Sequence, residues 1–106
     1  NIRSDAALEL DKLIQCMNEN PAMVIEIGSH TDCRGSARFN QKLSERRGRS
    51  CRNYVISKGI SSSRIFGKGY GESKLVNDCG CEGRVKSDCS EEEHQNNRRT
   101  EFRVIV

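Results

Sequence analysis

One helical surface of the chain combines apolar side chains with an amide and a guanidinium. Spacings of three, four, four and three residues place its members on one side of a helix: Asn40, Leu43, Arg47, Cys51 and Tyr54. We expect this side to face a β-sheet. A guanidinium that faces a core is costly unless it meets an anion and its donors are satisfied. The spacing therefore predicts an anionic partner for Arg47.

Asp32 is the expected partner, because it lies in the loop that follows the first predicted strand. Loops at strand ends in α/β layers are where ligands usually bind. Asp32 and Arg47 can form an internal ion pair. Alternatively they can bind a zwitterion, with the carboxylate accepting from an ammonium and the guanidinium donating to a carboxylate. The residue types alone favour neither arrangement.

Length and charge limit the classes of function. The chain has 106 residues, enough for one domain (1–106) with a modest core. Its net charge of +3 suits an anionic cell-wall polymer and is low for a nucleic-acid binder, so we expect no nucleic-acid partner. No apolar run approaches the roughly 20 residues of a membrane helix. The chain starts within an element, so we expect an N-terminally truncated domain whose membrane association depends on the part that precedes it.

Helical and strand patterns alternate along the chain. Helices are predicted over residues 4–20, 37–58 and 90–97, and strands over 23–28, 64–70 and 100–106. This α-β-α-β-α-β order predicts an α/β (α+β) sandwich, with three helices packed on a small sheet.

Local signals set several of these boundaries. Pro21 ends the first helix because it lacks an amide donor. Ser36 is the expected N-cap of the second helix, and Gly59 its left-handed C-terminal stop. Ser90 opens a capping box before the third helix. In the last strand, Phe102, Val104 and Val106 are expected on one face.

Six cysteines in so short a chain predict disulfides and an oxidising compartment. We expect two bridges within one group: Cys33, Cys79, Cys81 and Cys89. Cys16 and Cys51 would then pair between the first two helices or remain buried thiols. The alternative is a zinc site, formed by Cys79, Cys81, Cys89 and His94, although this spacing fits no standard zinc pattern well.

Several separate runs, in order over nearly the whole chain, resemble the OmpA-like peptidoglycan-binding domain. They are Ile27–Asp32, Arg34-Gly35, Asn40, Leu43-Ser44, Arg46-Arg47, Gly67–Glu72 and Asn97–Phe102. The resemblance implies the OmpA-like fold with a mixed sheet, with the family's first strand absent from this chain. The edge left open could be covered by a second chain, for example in a homodimer.

The resemblance also implies a ligand, the diaminopimelate of the peptidoglycan stem peptide. The family's paired aspartate and arginine match Asp32 and Arg47, and its asparagine matches Asn40. Thr31, Leu43 and Arg99 would line or brace the same pocket. The implied function is non-covalent anchoring of the outer membrane to the cell wall, at the periplasmic face of that membrane, with no enzymatic activity, metal or cofactor.

Rival interpretations rest on fewer residues. His30 beside Asp32 and Cys33 could suggest a nucleophile with its base, but neighbouring loop residues rarely converge in that way. The acidic run 91–93 could bind calcium, but such runs more often mark a helix N-terminus. The alternative from another functional class is a stapled protein-interaction domain, in which Asp32 and Arg47 only pair with each other.

Overall fold

The computed structural model describes residues 4–34, 36–74, 89–95 and 97–105. Helices and strands alternate in the predicted order. They are α1 (Ser4–Glu19), β1 (Ile25–His30), α2 (Ala37–Ser57), a 3-10 turn (Ser62–Arg64), β2 (Ile65–Gly71), α3 (Glu91–Gln95) and β3 (Thr100–Val104). The third predicted helix is shorter than expected, with five residues. The helical layer on the sheet is therefore formed by two long helices, and the predicted layer of three is wrong in this respect.

The ends of α2 confirm the sequence signals. The Ser36 hydroxyl accepts a hydrogen bond from the Phe39 amide at 3.1 Å, which satisfies one of the free donors of the first turn. At the other end, Lys58 is the C-cap and Gly59 has a φ of +104°. Such a φ suits glycine, because a Cβ would be strained there.

The C-terminal carbonyls of α1 are satisfied from a distant part of the chain. Arg64 donates from Nη2 to the carbonyls of Met17 and Asn20, each at 2.8 Å, and from Nε to the carbonyl of Met23 at 3.1 Å. These bonds join the end of α1 to the start of β2. They also explain why the chain can turn sharply after Glu19.

The described strands form one mixed sheet in the order β2-β1-β3. β1 is central, parallel to β2 and antiparallel to β3. β1 continues two residues beyond the predicted end at Gly28, because the His30 amide donates to the Arg99 carbonyl at 2.8 Å. The parallel register with β2 shifts between Ser29 and His30, next to the loop that contains Asp32.

The core lies between the helices and one face of the sheet. Its members are Leu10, Leu13, Ile14, Met17, Ile25, Ile27, Cys51, Val55, Ile60 and Ile65. By register, Phe102 and Val104 lie opposite Ile27 and Ile25, so the expectation that they share a face is confirmed. Both are nevertheless exposed, at 38% and 59%, because the helical layer does not cover β3.

Two glycines in β2 let α2 lie directly on the sheet. A Cβ at Gly67 would come within 2.4 Å of the Gly48 carbonyl oxygen, and one at Gly69 within 2.2 Å of the Glu45 amide nitrogen. Neither position can hold a side chain without moving the α2 backbone. This contact fixes the distance between the first half of α2 and the carboxyl end of β2.

The cysteines divide into two groups. Cys33 and Cys89 are disulfide-bonded. Their pairing with Cys79 and Cys81 stays a prediction, because those two lie outside the described residues. Cys16 and Cys51 are free thiols, so of the two alternatives the bridge between the helices is not formed. Cys51 is the buried thiol that the other alternative expected, whereas Cys16 is exposed.

Candidate functional site

The candidate site lies at the carboxyl end of the central strand. Thr31 and Asp32 follow β1 directly, and both are buried. The Thr31 amide donates to the Gly71 carbonyl at 2.8 Å, at the end of β2. Its hydroxyl donates to the Asp32 carbonyl at 2.9 Å. Since β1 and β2 are parallel, their carboxyl ends meet here and hold the loop from both sides.

Asn40 organises this loop from the first turn of α2. It is buried, and its Nδ2 donates to the Asp32 carbonyl at 3.2 Å, to the Arg34 carbonyl at 3.0 Å and to Glu72 Oε1 at 3.2 Å. These bonds tie the loop after β1 to the residue that follows β2. The structure therefore brings Asn40, Thr31 and Asp32 together, as the sequence led us to expect.

Ser44 adds a second anchor one turn further along α2. Its buried hydroxyl accepts from the Gly71 amide at 2.8 Å and donates to the Gln41 carbonyl at 2.9 Å. Gly71 itself has a φ of +55°, in the left-handed region that favours glycine. The Ser44 hydroxyl and the left-handed conformation of Gly71 together fix the end of β2. Thr31 is positioned by this end, because its amide donates to the Gly71 carbonyl.

The Asp32 carboxylate is bound by two arginines. Its Oδ2 accepts from Arg34 Nε at 3.2 Å and Nη2 at 2.9 Å, and from Arg98 Nη1. Its Oδ1 accepts from the Arg34 amide at 2.9 Å. Asp32 is therefore an ionised acid held in a defined orientation at the surface of the core.

The electrostatics of Asp32 are a balance of opposing effects. Burial by itself would raise the pKa of the Asp32 carboxyl. The hydrogen bonds from Arg34 and Arg98 outweigh that effect, so the pKa lies below its ordinary value. Asp32 is accordingly charged at neutral pH.

Glu91 binds the outer sides of the same two arginines. Its Oε2 accepts from Arg34 Nη1 at 2.6 Å, and its Oε1 accepts from Arg98 Nη2. These bonds, with Arg34 first, lower the pKa of the Glu91 carboxyl to about 2. We call these four residues the charged cluster: Asp32, Arg34, Glu91 and Arg98.

Arg47 is placed differently from the prediction. It is exposed, and the face of α2 that is buried consists of Asn40, Ser44, Gly48, Cys51 and Val55. The expectation of a core-facing guanidinium is therefore wrong, because the buried face is rotated slightly from the one that the spacing suggested. The internal pair of Asp32 with Arg47 is also absent from the contacts of Asp32, which go to Arg34 and Arg98.

Leu43 and Arg99 complete the predicted set. Leu43 is half-buried on α2. Arg99 donates to Glu101 Oε2 at 2.6 Å and to the Lys74 carbonyl at 2.8 Å, so its guanidinium lies away from the charged cluster. Its backbone pairs with His30, which braces the end of β1.

The sequence reasoning missed three members of the charged cluster. Arg34 and Arg98 stand within the runs that suggested the family, but neither position was singled out. Glu91 was noted only as part of an acidic helix start, and no spacing links it to Arg34.

The rival nucleophile is not formed. Cys33 is disulfide-bonded and has no thiol to activate. His30 is buried, its ring stacks on Tyr70 at a centroid distance of 4.9 Å, and its Nε2 lies 3.6 Å from Glu101 Oε1. His30 is thus part of the sheet packing beneath the loop.

Within the described residues the zinc alternative gains no support, and two of its four proposed ligands, Cys79 and Cys81, lie outside those residues. Within residues 4–34, 36–74, 89–95 and 97–105, no group of three or more acidic, histidine or cysteine side chains could hold a metal ion. Cys89, one of the four proposed zinc ligands, is disulfide-bonded. None of the helices in that part of the chain has the length and apolar character needed to cross a bilayer.

Solved structures share this architecture. The peptidoglycan-associated lipoprotein from Burkholderia pseudomallei superposes with a TM-score of 0.79 at 22% identity, covering 96% of this chain and 79% of that one. The C-terminal domain of Helicobacter pylori MotB gives 0.80 at 16% identity, covering 100% and 76%. At these identities the likeness establishes the fold.

Sequence comparison finds relatives at higher identity than these solved structures. Outer membrane porin F of Pseudomonas fluorescens is 39% identical over 70 residues, which are 66% of this chain and 22% of the porin. A peptidoglycan-associated lipoprotein of Mesorhizobium japonicum is 34% identical over 79 residues, 74% of this chain and 47% of the lipoprotein. The chain thus spans less than half the length of these curated relatives. Residues 1–88 match the OmpA family, and the chain belongs to that family.

Proposed function

We propose that this chain binds peptidoglycan non-covalently through the diaminopimelate of its stem peptide. The observation that supports this most directly is the Asp32 carboxylate, which is ionised, oriented and located at the carboxyl end of the central strand. The names of its relatives, which include peptidoglycan-associated lipoproteins, support peptidoglycan as the polymer that it binds. No bond is made or broken in this function, so the proposal is a binding domain and not an enzyme.

The proposed ligand has charges that suit the site. The side-chain end of diaminopimelate bears an ammonium and a carboxylate. In the proposal the Asp32 carboxylate accepts from the ammonium, and Arg47, exposed on α2, donates to the carboxylate. Thr31 and Asn40 hold the loop that presents Asp32, Leu43 contacts the ligand's apolar chain, and Arg99 braces the strand beneath it.

The position of this domain in the cell follows from the same proposal. Outer-membrane proteins and lipoproteins among the relatives suggest the periplasmic face of the outer membrane. There the domain would link a membrane component to the cell wall. Disulfide-bonded Cys33 and Cys89 are consistent with such an oxidising compartment.

The test is calorimetric titration with a stem peptide that contains diaminopimelate, after sedimentation has established whether the domain is a monomer or a homodimer. We expect binding by the wild type and at least about a 30-fold loss in Asp32→Ala and in Arg47→Ala, since each leaves a ligand charge unpaired at a cost of about 2–5 kcal/mol. Arg46→Ala is the matched control, because Arg46 is the exposed neighbour of Arg47.

A lysine-type stem peptide provides the second comparison. It lacks the terminal carboxylate, so it should bind to the wild type more weakly than the diaminopimelate peptide does. Its affinity should not fall further in Arg47→Ala. A folded wild type that binds neither peptide would reject the proposal and favour the protein-interaction domain instead.

A further inference from the structure

Glu91 accepts from the outward nitrogens of both Arg34 and Arg98 in this structure. We propose that the ligand carboxylate accepts from Arg34 and Arg98 as well as from Arg47, that the Glu91 carboxylate occupies its place on Arg34 and Arg98, and that binding requires the displacement of Glu91. This inference rests on the proposed function, because the same cluster contains Asp32. It adds a residue from α3 that regulates affinity and specificity at that site.

The hydrogen bonds show how Glu91 resembles a bound carboxylate. Each of its oxygens accepts from a different guanidinium, Oε2 from Arg34 and Oε1 from Arg98. Guanidinium groups bind ligand carboxylates by charge-assisted bonds of this kind. A carboxylate from an incoming peptide would find these outward donors already used.

The inner side of the cluster is closed by the same arrangement. Asp32 Oδ2 accepts from three nitrogens of Arg34 and Arg98, and Oδ1 accepts from the Arg34 amide. Oδ1 accepts from one donor only, but the Asp32 side chain is 7% exposed, so an ammonium reaches the carboxylate only when at least one guanidinium turns away. Because Glu91 holds both guanidiniums from outside, release of Glu91 is coupled to the opening of Asp32.

The charges of the cluster show what the release of Glu91 would leave. Two arginines face two carboxylates, so the cluster is neutral as it stands. Without the Glu91 charge it has an excess of one positive charge, which attracts a carboxylate. A peptide carboxylate that replaced Glu91 would again give both guanidiniums an anion, while the ligand's ammonium pairs with Asp32.

Exposure shows which member of the cluster can move. The side chain of Asp32 is 7% exposed and that of Arg98 24%, whereas that of Glu91 is 68% exposed. An exposed ion pair contributes little to stability, and Glu91 can regain hydration when it leaves. The buried carboxylate is therefore the fixed part of the site and Glu91 the exchangeable part.

The experiment compares Glu91→Gln with Glu92→Gln in the same calorimetric titration. Glu92 is the exposed neighbour on α3, so both variants change the net charge equally. For the diaminopimelate peptide we expect Glu91→Gln to bind about two- to fivefold more tightly than the wild type, in line with the strength of an exposed ion pair. Glu92→Gln should match the wild type.

The lysine-type peptide tests whether the gain depends on a carboxylate. Its affinity should change less than twofold in Glu91→Gln, since it lacks the group that would replace Glu91. Tightening of both peptides to the same extent would mean a general charge effect and would overturn the inference. Unchanged or weaker binding of the diaminopimelate peptide by Glu91→Gln would overturn it as well, while the proposed function would stand.

The two proposals fail in different ways. If neither the wild type nor Glu91→Gln binds the diaminopimelate peptide, both the proposed function and the role of Glu91 are rejected. Circular dichroism of each variant shows that the fold is retained, which separates a loss of binding from a loss of structure.

Discussion

Asp32 and Glu91 bind the same two guanidinium groups from opposite sides. Asp32 is buried at the end of the central strand, and Glu91 is the exposed first residue of α3. The two carboxylates therefore play unequal parts. One fixes the arginines to the sheet, and the other covers their outer faces.

Removal of the inner carboxylate should destabilise the fold. In Asp32→Ala, both arginines and the Arg34 amide lose an acceptor, and part of the buried space is left empty. We expect the free energy of unfolding to fall by about 1–3 kcal/mol, measured by urea denaturation. Glu92→Ala, an exposed change on α3, should alter it by less than about 0.5 kcal/mol. Equal stability of Asp32→Ala and the wild type would contradict the structure of the charged cluster.

Acid should weaken the fold in a defined range. The folded-state pKa values of Asp32 and Glu91 are both lowered, that of Glu91 to about 2 from its ordinary 4.5. The unfolded chain thus binds these protons first. The stabilisation is present above about pH 4.5 and is lost as the pH falls towards 2.

Thermal unfolding between pH 6 and pH 2 measures this dependence. Because Glu91 is exposed, its contribution to this pH-dependent stabilisation should be small and should decrease further in high salt. Glu91→Gln should show a shallower fall in midpoint than Glu92→Gln. Parallel curves for the two variants would argue against a lowered pKa of the Glu91 carboxyl.

His30 should produce a second, separate dependence nearer neutral pH. Burial, followed by the charge of Arg99, lowers the pKa of His30 below its ordinary 6.5; Lys74 acts in the same direction, and Glu101 and Glu26 oppose it. The unfolded chain therefore takes up this proton first. Stability should fall as the pH decreases from about 6.5 through the folded-state pKa.

The variant that tests this is His30→Phe. Phenylalanine keeps a planar ring against Tyr70 and removes the buried Nδ1, which has no hydrogen-bond partner among the described residues. At pH 5 we expect the variant to be at least as stable as the wild type. We also expect the fall in the free energy of unfolding between pH 7.5 and pH 5 to be much smaller in the variant than in the wild type. A steeper dependence in His30→Phe would show that another group is responsible.

The close contact of α2 with β2 predicts unequal effects of alanine at two glycines. Gly69→Ala places a Cβ 2.2 Å from the Glu45 amide nitrogen, whereas Gly59 has open space but a φ of +104°. We expect losses of about 1–3 kcal/mol or more for Gly69→Ala and about 1–2 kcal/mol for Gly59→Ala, by urea denaturation. Only Gly69→Ala should also shift the Asn40 side-chain amide resonances, because only it displaces the start of α2. Unshifted resonances in that variant would refute the close contact.

Thiol labelling distinguishes the two free cysteines. Cys16 is exposed and Cys51 is buried, and burial raises the pKa of the Cys51 thiol. In the native protein, a thiol reagent should modify Cys16 quickly and Cys51 only as fast as the fold opens. Cys16→Ser identifies the slow site. Absence of any labelling in the native or the denatured protein would mean that these residues are paired after all.

The sequence by itself determined the order of elements, most of their ends and the family. Local chemistry is sufficient for these features: a serine cap, a glycine with positive φ and an apolar helical spacing act on their own neighbours. It also located Thr31, Asp32 and Asn40, because a loop after a strand and the start of the next helix must meet at one sheet edge.

Only the tertiary structure decided the partners of Asp32. A rotation of α2 by a fraction of a turn exchanges buried and exposed positions, and that rotation depends on how Gly67 and Gly69 meet the helix backbone. Arg47 is therefore exposed, and Arg34 and Arg98 bind Asp32 in its place. Glu91 reaches the same arginines from a distant segment, and contacts of that kind depend on how the chain folds back on itself and not on any local pattern.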